Sequence, residues 1–320
     1  MSFKNIKGQD SAVDILRGSI SNERVGHAYI FLGPNGVGKR LAAVNFAKAL
    51  NCIAPKENEP CDECISCKKI DGSNHPDVSF IRPEEDASSI KIDAVRGIIK
   101  DVNLKPYEGK KKVYIIERAD SMKHEAANAL LKTLEAPVSD SVMILLTQNL
   151  KALFPTIVSR SQVVRFFPLS VDEVRNILIR DHSIDADKAL VLSHLSSGRL
   201  GEALEYRTKG IFEKRERIID ALLKRSLFDI DIEKISRDEI RIYLDIMLSW
   251  YRDILAAKTG APADMLINTD KKESIKREAA SLAMDHIYSV MDQIMLTGLY
   301  LDQNANMKLA MGVLAGRIAA

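Results

Sequence analysis

The stretch Gly33-Pro34-Asn35-Gly36-Val37-Gly38-Lys39 limits the fold of this 320-residue chain more than any other segment. It matches the first seven positions of the pattern G-x-x-x-x-G-K-[ST]. The short apolar run Ala28–Leu32 before it suits a buried strand, and residues 41–50 after it are helical in pattern. Glycines let successive backbone N–H groups curl around phosphate oxygens, and the following helix N-terminus adds partial positive charge. Gly33, Gly36, Gly38 and Lys39 are therefore candidate nucleotide-binding residues, with Lys39 placed to approach the β/γ-phosphates. The plain alternative is a Gly-rich turn at a strand–helix junction.

The rest of the pattern supports an α/β fold. Helical spacing covers residues 9–24, 92–102 and 121–135. Apolar runs at 78–81, 113–116, 142–146 and 163–167 read as strands. Alternation of this kind predicts a mainly parallel sheet, and unbroken apolar runs predict strands covered on both faces. After Pro168 no strand pattern follows. Helices are expected at 170–181, 185–196, 238–258 and 274–300. Boundaries near 167 and 208 give three expected domains: 1–167, 168–208 and 209–320.

The phosphate loop carries a defect. Its eighth position is Arg40, so the hydroxyl that normally ligates Mg²⁺ is missing. The strand that should end in Asp, often followed by Glu, is followed here by Glu117 and Arg118. Glu117 is one methylene longer than Asp, and a guanidinium cannot act as a base. Weak or absent hydrolysis is expected, with ATP or ADP binding left open. Gln148, after the fourth strand, is a candidate γ-phosphate contact.

All four cysteines lie in one cluster, Cys52-x8-Cys61-x2-Cys64-x2-Cys67. Four thiolates at this spacing suit a closed tetrahedral structural zinc site, with an iron–sulfur cluster the weaker alternative. Asp62, Glu63, Lys68 and Lys69 give the module a mixed-charge surface without aromatic residues, which favours a structural or partner-facing role over base reading. His75 is read as a packing or surface residue, and Lys110-Lys111-Lys112 as a solvated turn. Lys and Arg total 46 against 44 Asp and Glu, a net charge of +2. That balance counts against a stand-alone basic nucleic-acid binder. No apolar run reaches the ~18 residues of a membrane span. No secretory signal is expected either.

Several stretches resemble bacterial clamp-loader proteins of the AAA+ class. They are His27–Pro34, the run Ala126-Ala127-Asn128-Ala129-Leu130-Leu131-Lys132-Thr133-Leu134-Glu135, and Pro155-Thr156-Ile157-Val158-Ser159-Arg160-Ser161. The cysteine insertion at 52–67 and Trp250-Tyr251-Arg252-Asp253, similar to a collar signature, add to the likeness. The resemblance implies a RecA-like AAA+ domain, a small helical lid and an all-helical collar for oligomerisation. It implies assembly with delta and gamma or tau subunits of DNA polymerase III to place the beta sliding clamp on primed DNA in the bacterial cytoplasm. Arg160 would act as an arginine finger in the neighbouring subunit's ATP site, while the eroded site marks a stator without its own turnover. This sequence departs from the family pattern at Ser161, where cysteine is usual, and at Ala136, where a second acid is usual. At Gly201 the sensor-2 arginine is replaced, with Arg199 offset by two. The rival readings are an active gamma/tau-like ATPase, a zinc-dependent DNA-binding module and an AAA+ paralogue with a different client.

Overall fold

The computed structural model describes residues 2–83, 89–138, 140–227 and 235–319. Two compact units divide the chain, Met1–Leu169 and Ser170–Ala320.

The first unit alternates helices and strands: α1 (Asp10–Ser21), β1 (Ala28–Leu32), α2 (Lys39–Asn51), α3 (Ile65–Asp71), β2 (Val78–Ile81), α4 (Ile92–Asp101), β3 (Lys112–Ile116), α5 (His124–Glu135), β4 (Ser141–Thr147), α6 (Pro155–Val158) and β5 (Gln162–Arg165). The strands form one sheet in the order β2-β3-β4-β1-β5, and every pairing is parallel. Val, Ile, Tyr and Phe dominate the central strands, as suits a pleated surface packed on both sides. Side chains alternate between two cores. Tyr29, Phe31, Val113, Ile115, Val142 and Ile144 pack with α1 and α2. Ile30, Tyr114, Ile116, Met143 and Leu145 pack with α4 and α5. Phe46 of α2 is fully buried, its ring edge-on to Tyr29 at 5.2 Å between centroids.

Two expectations shift here. The helix predicted from residue 121 starts at His124. Ala119–Ser121 form a 3-10 turn, and Met122 is drawn into an extended bridge with Ile90. Lys112 is not in a solvated turn. It lies buried on β3, its ammonium 2.7 Å from Asp101 Oδ1.

The second unit is helical among the described residues: α7 (Val171–His182), α8 (Ala186–Leu195), α9 (Leu200–Thr208), α10 (Ile211–Leu223), α11 (Arg237–Lys258), α12 (Lys272–Ser281), α13 (Met284–Asp302) and α14 (Met307–Ala319). A capping box opens α7, with Ser170 accepting from the Glu173 amide and Glu173 accepting from the Ser170 amide. The single helix predicted over 274–300 is two helices, because Leu282 and Ala283 are extended. Periodicity could not reveal the break. Buried Ala279 and Val290 stand eleven residues apart, close to three full turns, so the apolar phase runs through it.

The signature Trp250–Asp253 has a structural role in this unit. Trp250 and Tyr251 are buried. The buried Asp253 carboxylate accepts from the Ile267 amide at 3.0 Å, the Asn268 amide at 2.7 Å and Asn268 Nδ2 at 2.8 Å. It thereby fixes the chain entering α12. No described helix is long and apolar enough to cross a membrane.

Asp245 of α11 has a less favourable setting. Burial pushes its carboxyl up to about 6, Arg199 and Arg241 oppose the shift, and Glu202 adds to it. The charged form is the disfavoured one. The fold therefore bears the penalty in full above pH 6 and sheds it as the pH falls towards the unfolded value near 4. Asp245→Asn should stabilise this unit at pH 8 by up to about 2–3 kcal/mol, with the gain gone at pH 4. Urea unfolding followed by the fluorescence of Trp250, the chain's single tryptophan, measures both.

Candidate nucleotide pocket, cysteine centre and arginine edge

The phosphate loop leaves the C-terminal end of β1, the strand between β4 and β5. Gly33 is required by close approach: a Cβ there would lie 2.3 Å from the Phe166 carbonyl oxygen. Gly38 has φ +98° and caps α2 in the left-handed region, which favours glycine. Lys39 is buried, and its ammonium donates to the carbonyls of Gly33 and, at 2.7 Å, Pro34. Burial lowers its pKa to about 8 against the pull of the Asp120 charge. The lysine is thus satisfied by the loop's own carbonyls.

Arg40 donates through Nε to Glu117 Oε1 at 2.8 Å, with its guanidinium 5.5 Å from the Phe80 ring centroid. Arg40, at the position where the sequence pattern has a hydroxyl, thus pairs with Glu117, the carboxylate that the sequence offered as a metal contact. Arg118 is exposed with φ +53°. Gln148 is exposed, one residue past β4. The polar group that β4 brings towards this region is Thr147, 1% exposed, whose hydroxyl donates to Asp120 Oδ1 at 3.1 Å. Asp120 is the residue the sequence reading missed as a member of the site. A carboxylate three positions beyond Glu117, in a 3-10 turn, gave no periodic signal.

The four cysteines converge. Their Sγ atoms all lie within 4.8 Å of one another, and Cys52 and Cys64 are 4.0 Å apart. All four are free thiols. Zn–S bonds of ~2.3 Å in a tetrahedron put sulfurs ~3.8 Å apart, close to this spacing. Backbone N–H groups of Cys61, Cys64 and Cys67 point at Cys52, Cys61 and Cys64 sulfurs respectively, each at 3.4 Å. Burial raises the Cys67 thiol well above the usual range. At Cys64 burial also pushes up, but the amides of Cys67 and Ile53 carry it down to about 6. The donor set fits a thiophilic metal.

The module is tied to its surroundings by buried charge. Lys48 of α2 has a fully buried side chain and pairs with Asp71 at 2.9 Å and with Asp62, inside the cysteine loop. Glu59, 8% exposed, accepts the Phe3 amide at 3.0 Å and Arg17 Nε at 2.8 Å. His75 is a satisfied packing residue, 3.1 Å from Ser66 Oγ through Nε2 and accepting the Asp77 amide at Nδ1.

Arg160 sits just before β5, at the other end of the sheet from the phosphate loop. Tyr29 pairs with Gln162 and Leu32 with Arg165, so the path from Arg160 to the level of Gly33 is about six residues, on the order of 20 Å at strand rise. Arg160 Nη1 donates to Thr156 O at 3.1 Å, and Nη2 lies 3.0 Å from Glu135 Oε1. In the second unit, Arg199 caps α9, bonding the Ser196 carbonyl at 2.8 Å and pairing with Glu202.

A parallel sheet in the order 2-3-4-1-5, a phosphate loop after β1 and a helical second unit define an AAA+ protein with a RecA-like core. Two family models match in sequence. One, described as DNA polymerase III, delta subunit, covers residues 8–170; the other, its C-terminal counterpart, covers 211–314. The delta′ subunit of DNA polymerase III from Bacillus subtilis is 34% identical over 282 residues, spanning 85% of this chain and 84% of that protein. The delta′ subunit from Pseudomonas aeruginosa is 32% identical over 232 residues, 71% of this chain and 70% of that one. Bacillus subtilis tau is 27% identical over 321 residues, 91% of this chain and 56% of tau. The chain belongs to the DNA polymerase III delta′ family.

Glu59→Ala should leave the buried Phe3 amide without its acceptor, at a cost of about 1–3 kcal/mol. Hydrogen exchange should speed up at Phe3–Asn5 and stay unchanged in α5.

Proposed function

We propose that this chain is the stator of a clamp-loader assembly. It supplies Arg160 to a neighbouring subunit's ATP site and turns over no nucleotide of its own. The observation that carries this reading is Arg40, which stands at one expected magnesium-ligand position, where it offers no ligand, and pairs with the carboxylate at the other, Glu117. Phosphate contacts through Gly33, Gly36, Gly38 and Lys39 are retained, so ATP or ADP can be held without being hydrolysed. The sheet geometry supports action in trans, because Arg160 is carried at the end opposite its own loop.

In this reading residues 168–208 act as the lid and 209–320 as the collar. Exposed Tyr288, Met295 and Leu299 on α13 and Leu309 and Val313 on α14 form apolar surface of the kind that subunit contacts cover. The partners are delta and gamma or tau subunits, and the assembly acts on the beta clamp and primed DNA in the cytoplasm. Cys52, Cys61, Cys64 and Cys67 hold one structural Zn²⁺. It contributes folding energy by clipping the loop to α2, and the Lys48 and Glu59 contacts pass that restraint to α2 and the N-terminal turn.

Two measurements test this. In a loader reconstituted with delta, gamma or tau and the beta clamp, Arg160→Ala should lower DNA-stimulated ATPase by about tenfold or more, a loss that need not reach the ~10³–10⁵ of one arginine finger because the other sites keep theirs. Lys39→Ala should leave it unchanged. An unchanged rate for the Arg160 variant, or Lys39-dependent turnover by the isolated chain, would sink the reading. Metal analysis of the purified chain should find one zinc per chain, lost with the Cys61→Ser, Cys64→Ser double variant together with thermal stability of the first unit.

A further inference from the structure

We infer that Glu135 is the positioning residue for Arg160, an inference that rests on the arginine-finger reading above. Glu135 is the last residue of α5, where a carboxylate meets the negative end of the helix dipole and is disfavoured. Its side chain is 54% exposed, so packing does not account for it. Its ion-pair partner is the Arg160 guanidinium, 3.0 Å away through Nη2. The next residues are Ala136 and Pro137, so no adjacent carboxylate shares the task.

The geometry orients the arginine without using it up. A guanidinium has five N–H donors in a rigid plane. Here Nη2 faces Glu135 and Nη1 donates to the Thr156 carbonyl, anchoring the plane at two points on α5 and α6. The Thr156 bond uses one N–H on Nη1 and the ion pair holds the Nη2 side, so Nε–H and the second N–H of Nη1 are left over. They can meet phosphate oxygens of a neighbour while the inner side stays tethered. A long side chain fixed in this way loses little further freedom when the transition state forms, which is how preorganised groups act on rate. Both side chains are at least a third exposed, so the tether is weak. The expected gain is a small multiple of the rate, far below the contribution of the arginine itself.

The test uses the reconstituted loader and a double-variant cycle. Glu135→Ala should lower kcat for ATP by about two- to fivefold with KM unchanged, the size of an exposed ion pair. Glu135→Asp should recover part of the loss. In the Arg160→Ala background, Glu135→Ala should change nothing further. Equal losses in both backgrounds would mean that Glu135 acts through stability rather than through the arginine. An unchanged or raised kcat for Glu135→Ala would also overturn the inference, a raised one by showing that the carboxylate restrains the finger. If Arg160→Ala itself is silent, the finger reading fails first, a result distinct from a silent Glu135 variant. The thermal midpoint of each variant checks that the fold is intact.

Discussion

Strand β1 is the constraint on which core and site both hang. It is buried on both faces and hydrogen-bonded on both edges, to β4 and β5. A strand so enclosed cannot slip, because moving by one residue would exchange Tyr29 and Phe31 with Ala28 and Ile30 between two packed cores. Its register fixes where Gly33 emerges, against the Phe166 carbonyl with no room for a side chain. The same register fixes how far Arg160 stands from that loop.

The charges around the loop are few and their strengths unequal. The Arg40–Glu117 pair is partly exposed, and such pairs contribute about 0–1 kcal/mol. It is therefore not the strength of this contact that would exclude a metal. The loss is of ligands: no hydroxyl at position 40, and a carboxylate at 117 with a cation already beside it. The Lys48 cluster is different in kind. Its ammonium is fully buried, and removing a partner from a buried charge costs far more than breaking a surface pair. The chain thus places its firm electrostatics under the cysteine module and its loose electrostatics at the eroded pocket.

Much of this was legible in the sequence. β1 and β2 were read at their observed bounds, and the other strands within one or two residues, because continuous apolar runs flanked by polar turns leave little choice. The phosphate loop, Glu117 and the four cysteines follow from spacing. What escaped has physical reasons. Asp120 reaches the site through a 3-10 turn, which has no lasting period. The break at Leu282 keeps helical phase, and neither Gly nor Pro marks it. The burial of Lys48 and Lys112 depends on Asp62, Asp71 and Asp101, which only the fold brings near. Composition marks such lysines as surface residues.

The opposite placement of loop and arginine has a consequence for assembly. A subunit that receives at one end of its sheet and gives at the other joins its neighbours head to tail. Head-to-tail contacts close into a ring or continue indefinitely unless some member is one-sided. On the proposed reading this chain is one-sided: its giving end is intact and its receiving end is worn. It therefore suits the end of a row, and a row that contains it has one defined end and a direction. The substitution of a hydroxyl by Arg40 then acts as punctuation, setting where the series of working sites stops.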